Sequence, residues 1–363
     1  MKRGFQAGTL TNMGEVKTAT PAATGAKTAT PSMARAINDR LALDLLLERG
    51  PLTAPQLREL TGLSRPTVSD LVERLIRGGL IEAAGESGED RRGPNARMYA
   101  LVPDRAHVAG VDLRRDAISV TVADITGRVV GSSAGTVGGD LVELVAGAVA
   151  EAAGERAVDT VVVGAPGLVA PRDGELVSAN DVPGWRPGLV PAWRDRLGVP
   201  VILENEVNLA AIAELRTGAA QGAEDFVLIW VGDGVGAAVV LGGRLRRGAS
   251  GGAGEIGFLD VDGTAFCHLV ADSAARRVDR AEFAARLAKG AFAFVTLLDP
   301  GLVVLGGENG HEGGDELAAL VADRLRELSP APTEVRASTV AGNAVLQGAV
   351  LTALDLVRDR VFG

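Results

Sequence analysis

One order of elements occurs twice along this chain, and it constrains the fold more than any other feature. Residues 108–113, 118–124 and 129–132 read as strands separated by turns such as Thr126-Gly127. A helical pattern over Leu141–Ala153 and a wholly apolar strand over 160–164 follow. The order then recurs. Phe226–Val231, 236–241 and the short 243–246 stretch read as strands, a helix covers Arg280–Leu298, and 302–305 is again strand-like. Two β-β-β-α-β units in one chain predict an α/β domain of two similar lobes with a cleft between them. A last amphipathic helix is expected over 343–358.

The N-terminal third follows a different plan. Residues 1–33 are rich in Thr, Ala, Gly and Pro, and KTATP occurs at 17–21 and again at 27–31. Such a segment buries little and is expected to be a disordered tail. Helical periodicity starts at Ala34, with Ile37, Leu41 and Leu45 every four residues, and stops at Gly50-Pro51. Thr53 and Gln56 form a capping box, with Pro55 in the first turn. After the short turn Thr61-Gly62-Leu63, Ser64 caps a third helix whose apolar face is Val68, Leu71, Val72 and Leu75. A strand near Leu80-Ile81, a polar stretch over 86–92 and a second strand over 96–101 complete the order of a winged helix-turn-helix. In that motif the start of the third helix enters the major groove. The candidate DNA-reading residues are therefore Ser64, Arg65, Pro66, Thr67 and Ser69, with Arg91, Arg92 and Arg97 as a cationic wing. Arg65 offers guanine a forked donor, and Ser and Thr hydroxyls suit bases or phosphates. Asp70 and Glu73 work against DNA unless they pair with Arg74 or Arg77.

Charge agrees with this division. The chain of 363 residues has a net charge of −9, but residues 1–103 carry a small positive excess and the remainder a large negative one. One cysteine, Cys267, excludes an internal disulfide. Scattered His107, His268 and His311 leave no closed zinc site, and no metal or cofactor is expected. No apolar run approaches a membrane span, so a cytoplasmic location is expected and no membrane partner.

Three further motifs carry polar groups to loop positions. Gly232-Asp233-Gly234-Val235-Gly236 follows an apolar strand, where free backbone N–H groups suit phosphate oxygens. The stretch 203–208 offers carboxylates and amides at a strand end, and Glu255 stands in the Gly-rich loop 251–257. With VAGVDL at 108–113, VVVGAPGLV at 161–169, SANDVPGW at 178–185, LENEVNLAA at 203–211, LDPGLVVLGG at 298–307 and NAVLQGA at 343–349, the chain resembles the ROK family of bacterial repressors and sugar kinases. The resemblance implies an actin-like ATPase (ribonuclease H-like) fold of two lobes. It places sugar contacts on Gly167, Asn205, Glu206 and Glu255. It places the vestiges of the nucleotide loops on Asp112, Gly232, Gly234 and Gly236, with Gly306 and Gly307 near adenine.

Departures from the family pattern matter as much. Leu113, Arg114, Arg115 and Asp116 stand where the family's kinases carry glycines and a Thr. Glu206 replaces the catalytic Asp, Phe258 replaces a His, and the cysteine cluster is missing. The stretch from Glu255 to Asp299 is also short for the family. The chain is accordingly read as a disordered tail over 1–33, a winged helix over 34–103 and a two-lobed kinase-like domain over 104–363. The reading is a DNA-binding repressor, a homodimer or higher homo-oligomer on double-stranded operator DNA, with a sugar or sugar-phosphate effector and no catalytic residue. A sugar kinase with an accessory N-terminal domain is the alternative, and a ligand-free dimerising scaffold a third reading.

Overall fold

The computed structural model describes residues 31–86, 96–177, 181–232 and 234–363. Most of the expected tail lies outside these residues, as does the wing tip with Arg91 and Arg92. The N-terminal unit consists of α1 (Pro31–Arg49), β1 (Leu52–Thr53), α2 (Ala54–Thr61), α3 (Arg65–Arg77), β2 (Ile81–Glu86) and β3 (Arg97–Leu101), with strand order β1-β3-β2. Helix α1 begins three residues before the expected start. Strand β1 was not expected, because two residues carry no periodicity. Thr53 belongs to it and also caps α2: the Gln56 amide donates to Thr53 Oγ1 at 3.3 Å, and Gln56 Oε1 accepts from the Thr53 amide at 2.8 Å. Thr53→Ala is expected to cost about 1 kcal/mol, read as a lower urea midpoint for the full chain.

The face that α1 buries differs from the one its spacing suggests. Ala42, Leu43 and Leu46 are buried, whereas Ile37 is 61% and Leu41 41% exposed. The inward stripe is chosen by what α1 rests on, namely α2, α3 and β3. Leu57, Val68, Leu71, Val72 and Leu75 complete this core.

The rest of the chain holds the two lobes. The first comprises β4 (His107–Leu113), β5 (Ala117–Asp124), β6 (Val129–Thr136), α4 (Leu141–Ala153), β7 (Thr160–Ala165), α5 (Leu189–Leu197) and β8 (Val201–Asn205), and α6 (Glu206–Thr217) leads out of it. The second comprises β9 (Phe226–Val231), β10 (Val235–Leu241), β11 (Arg244–Arg246), β12 (Asp260–Val261), β13 (Thr264–Ala265), α7 (Phe266–Val270), α8 (Asp272–Ala275), α9 (Arg280–Leu298), β14 (Leu302–Gly306), α10 (Gly307–Leu328) and β15 (Glu334–Ala337). Helix α11 (Ala344–Phe362) follows it.

The two main sheets have the same plan: β6-β5-β4-β7-β8 and β11-β10-β9-β14-β15. In each, the first three strands in sequence pair antiparallel and the last two run parallel to the first. Parallel strands need both faces covered. Helices α4 and α5 cover the outer face of the first sheet around buried Trp193, whose Nε1 donates to the Leu141 carbonyl. Helices α9 and α10 do the same for the second.

The inner faces are covered by α6 and α11, which cross each other: α11 packs on β4 and β7, and α6 on β9 and β10. The crossing is close enough that a Cβ on Gly348 would lie 1.9 Å from the Leu209 carbonyl oxygen. At its C-terminal end α11 meets the winged helix. Arg40 of α1 pairs with Asp359 at 2.8 Å and lies 5.7 Å from the centroid of the Phe362 ring. One helix therefore runs from the cleft between the lobes to the N-terminal unit, a span of about 28 Å.

Candidate DNA-reading surface and ligand cleft

Gly62, in the left-handed region at φ 69°, ends α2 and lets the chain turn into α3 within three residues. Ser64, Arg65, Pro66, Thr67 and Ser69 are all exposed on the first turns of α3. Two of them are already engaged locally. Ser64 Oγ accepts from the Thr67 amide and shares a 2.8 Å hydrogen bond with Thr67 Oγ1, so Ser64 acts first as a cap. Arg74 is not paired with the Asp70 carboxylate. It forks onto Asp39 of α1, with Nε 2.8 Å from Oδ2, and ties α3 to α1. Asp70 and Glu73 have no ion pair among the described residues. On the hairpin Arg97 is exposed opposite Glu86 in register.

The second surface is the cleft between the lobes. Asp112 is the penultimate residue of β4 and is 2% exposed. Its Oδ2 accepts from Arg114 Nε at 2.9 Å and from Asn343 Nδ2 at 2.7 Å, while Oδ1 has no partner among the described residues. Arg114 also reaches across the cleft, with Nη1 3.7 Å from Glu308 Oε1 at the start of α10. Together with Gly307, Trp230, His311 and Ser338 these residues line a cavity of about 420 Å³. Arg114, which stands where the family's kinases carry small residues, thus bridges the two lobes. Arg115 points to solvent.

The glycines expected around a nucleotide divide between roles. Gly307 lines the cavity, and Gly232 lies against the backbone of Glu308. Gly306 packs under Leu228 and Trp230, Gly236 faces Val207 of α6, and Gly234 faces Glu206. Asp233 lies outside the described residues, as do residues 178–180.

Deeper along the cleft stand the residues expected to meet a sugar. Asn205 is the N-cap of α6: its Oδ1 accepts from the amides of Val207 and Asn208, and its Nδ2 donates to the Gly167 carbonyl at 3.0 Å. Glu206 follows at the first position of the helix. Burial, and next the charge of Asp112, push its carboxyl up to about 7 against the pull of Arg114, and Glu255 adds a smaller repulsion. Burial also raises Glu255. Gly254, at φ 95°, brings the Glu255 loop onto β10: the Ala237 amide donates to its carbonyl at 2.8 Å, and a Cβ there would lie 1.9 Å from the Ala237 oxygen. Phe258 is 81% exposed.

Two partnerships in this region were not read from the sequence. Buried Glu204 accepts from Arg247 Nε at 2.6 Å and from Asn208 Nδ2 at 2.9 Å, joining the lobes a second time. Asn343 has a legible signal as a helix cap, but its hold on Asp112 joins residues 231 positions apart.

A winged helix joined to a duplicated β-β-β-α-β domain with a polar cleft defines a winged-helix protein with a sugar-kinase-like domain. Family comparison matches residues 108–269 to the ROK family and 37–93 to the MarR family. A ROK hexokinase from Thermus thermophilus is 30% identical, with 70% of this chain and 99% of that chain covered and a TM-score of 0.60. The chain belongs to the ROK family. The structure of a ROK family transcriptional regulator, a homologue of the Escherichia coli MLC protein, shares the fold over 91% of this chain and 99% of its own, with 18% identity and a TM-score of 0.72. The xylose repressor of Bacillus subtilis is 26% identical over 237 residues, 62% of this chain and 61% of its own length. The chain thus spans about three fifths of the curated repressors it matches.

Proposed function

We propose that this protein is a DNA-binding transcriptional repressor that acts in the cytoplasm as a homodimer on double-stranded operator DNA. Residues 34–103 form the DNA-binding domain and 104–363 the kinase-like domain. The exposed first turn of α3, with Arg65, Thr67 and Ser69 facing solvent above a buried Val68-Leu71-Val72-Leu75 face, carries this reading. The wing, through Arg91, Arg92 and Arg97, supplies phosphate contacts. The apolar stripe Ile37 and Leu41, left exposed on α1, supports association of two copies.

The kinase-like domain is a sensor with no catalytic residue. A sugar or sugar phosphate is held by Gly167, Asn205, Glu206 and Glu255. Phosphoryl transfer needs positioned charge around the transferred group. Among the described residues the one Lys or Arg lining the nucleotide-type cavity is Arg114, and Asp112 and Glu308 already engage it. A triphosphate entering this cavity meets two carboxylates and must first break that bridge. Glu206, near neutrality, favours the kinase alternative, since a general base works best with a pKa close to ambient pH.

Two measurements test the reading. Fluorescence anisotropy with DNA from the chain's own upstream region should show salt-dependent binding that a sugar or sugar phosphate alters. A coupled ADP-release assay with Mg²⁺, ATP and glucose, N-acetylglucosamine, N-acetylmannosamine, mannose or fructose should show no turnover. A rate above about 1 s⁻¹ on any of them, abolished by Glu206→Ala, would establish the kinase instead.

A further inference from the structure

Helix α11 has a face that neither lobe covers completely. Leu346, Val350, Leu351 and Leu354 follow one another at helical spacing along it, and Arg358 comes next on the same stripe. Together they form the floor of a cavity of about 610 Å³. Thr121 of β5 and Val129 of β6 line it from the first sheet, and Leu47 of α1 closes the end near Arg358. The cavity adjoins the Asp112 cleft described above, and Gly342 and Asn343 line both. From Leu346 to Arg358 the helix supplies a trough about 18 Å long.

The chemistry of this trough is uneven along its length. Its floor is aliphatic for about two turns, from Leu346 to Leu354, and no carboxylate lines it among the described residues. Among the described residues its one charged side chain is Arg358. Both Nε and Nη2 of Arg358 donate to the same acceptor, the Ile125 carbonyl, at 3.0 and 2.9 Å. No carboxylate lies within ion-pairing distance of Arg358 among the described residues. The acids nearby are engaged elsewhere: Asp355 with Arg216, and both Asp44 and Asp359 with Arg40. Burial pulls the Arg358 guanidinium below its usual range, as for a cation drawn out of water without a counter-ion.

We propose that this trough is a binding site for a linear aliphatic monocarboxylate, a medium-chain fatty acid, with its carboxylate on Arg358 and its chain along α11. The argument is complementarity. A carboxylate supplies the anion that Arg358 lacks and accepts two parallel N–H bonds from a guanidinium fork. An alkyl chain covers half-buried Leu346 and Leu351 and exposed Val129, above Val350 and Leu354, which are already buried. The floor of Leu346, Val350, Leu351 and Leu354 offers a sugar's hydroxyls no side-chain partner, although Thr121, Thr126, Thr217, Asn343 and Gln347 line the rest of the cavity. The occupant touches Leu47 of α1 and Arg358 of α11 at once. It therefore sits where the winged helix is attached to the kinase-like domain.

Isothermal titration calorimetry of the full chain with octanoate, and with uncharged octanamide of the same shape, tests the assignment. One octanoate per chain is expected, with octanamide at least tenfold weaker. Arg358→Gln is expected to weaken octanoate at least tenfold. Since that variant also disturbs the bonds to Ile125, a second one fills the trough and leaves Arg358 in place: Val129, on the edge strand β6 and 59% exposed, is replaced by Trp. Val129→Trp is expected to abolish binding while the circular dichroism spectrum stays that of the parent. The proposal is overturned if the parent chain takes up no octanoate, if octanamide binds equally well, or if both variants retain the parent affinity. Absence of octanoate binding together with a Val129→Trp chain that sediments as a monomer beside a dimeric parent also overturns it, and assigns the trough to a second copy.

Discussion

Replacing Arg65 by Ala is expected to weaken operator binding by about 1–3 kcal/mol and to relax specificity at a single base pair. Arg65 is exposed on the first turn of α3, and its guanidinium has no ion-pair partner among the described residues. It is therefore available to fork onto a guanine edge in the major groove. Arg74 makes the opposite case on the same helix. Its guanidinium is committed to Asp39, so Arg74→Ala should lower stability by loosening α3 from α1 and leave base preference unchanged. Arg92→Ala in the wing should weaken binding to all sequences and reduce the salt slope. Anisotropy titrations against single-base operator variants at two salt concentrations separate these outcomes. Equal losses on every variant for Arg65→Ala would remove it from base reading. A fragment starting at residue 104 that binds operator as well as the full chain would remove the whole winged helix from that role.

Stability should depend on pH through Glu206. Its carboxyl is raised from 4.5 to about 7 in the folded chain, so folding favours the protonated form. That contribution is complete below pH 4.5, where the unfolded carboxyl is also protonated. It is lost as pH rises through 7, because the folded protein must then hold a charge it resists. Glu206→Gln keeps the shape and removes the titration. The variant should gain stability over the parent progressively between pH 4.5 and 8, by on the order of 2 kcal/mol, after allowance for the part of Glu206 that reaches solvent. Urea denaturation of both chains at pH 5 and pH 8 measures the difference. A gap that stays constant across that range would show that Glu206 does not titrate there. A sugar hydroxyl donating to the charged carboxylate should bring the pKa down, so a bound effector should narrow the gap.

Much of the architecture is legible in the chain before any tertiary contact is considered. Thr53 and Gln56 announce the start of α2 and Ser64 the start of α3, while the helix expected over 343–358 is α11, with Asn343 as its cap. In each case the capping hydrogen bond spans only two or three residues. Leu141–Ala153 and Arg280–Leu298 are helices over the very residues their periodicity marks. The duplicated lobe is likewise read from the order of its strands. Helices α5, α6, α7, α8 and α10 escaped that reading. Helix α6 is buried almost all round between the lobes, so it carries little amphipathic signal, and α10 opens on a glycine-rich turn.

Helix positions, caps and strand order rest on interactions a few residues long, which spacing along the chain encodes directly. The buried face of α1, the direction of Arg114 and the meeting of Asn343 with Asp112 rest on elements far apart in sequence. Ile37 and Leu41 have the spacing of a core stripe, yet Ala42, Leu43 and Leu46 face inward because α2, α3 and β3 lie on that side. From sequence alone Arg114 is a bulky cation in a phosphate loop. Only the approach of α10 turns it into a bridge between Asp112 and Glu308. The trough on α11 has the same origin: its stripe of leucine and valine looks like core, and packing against one sheet and the end of α1 leaves it partly uncovered, with a half-buried arginine at its end. Burial and charge pairing depend on which surfaces close over a residue, and in this chain that is decided when the lobes and the winged helix come together.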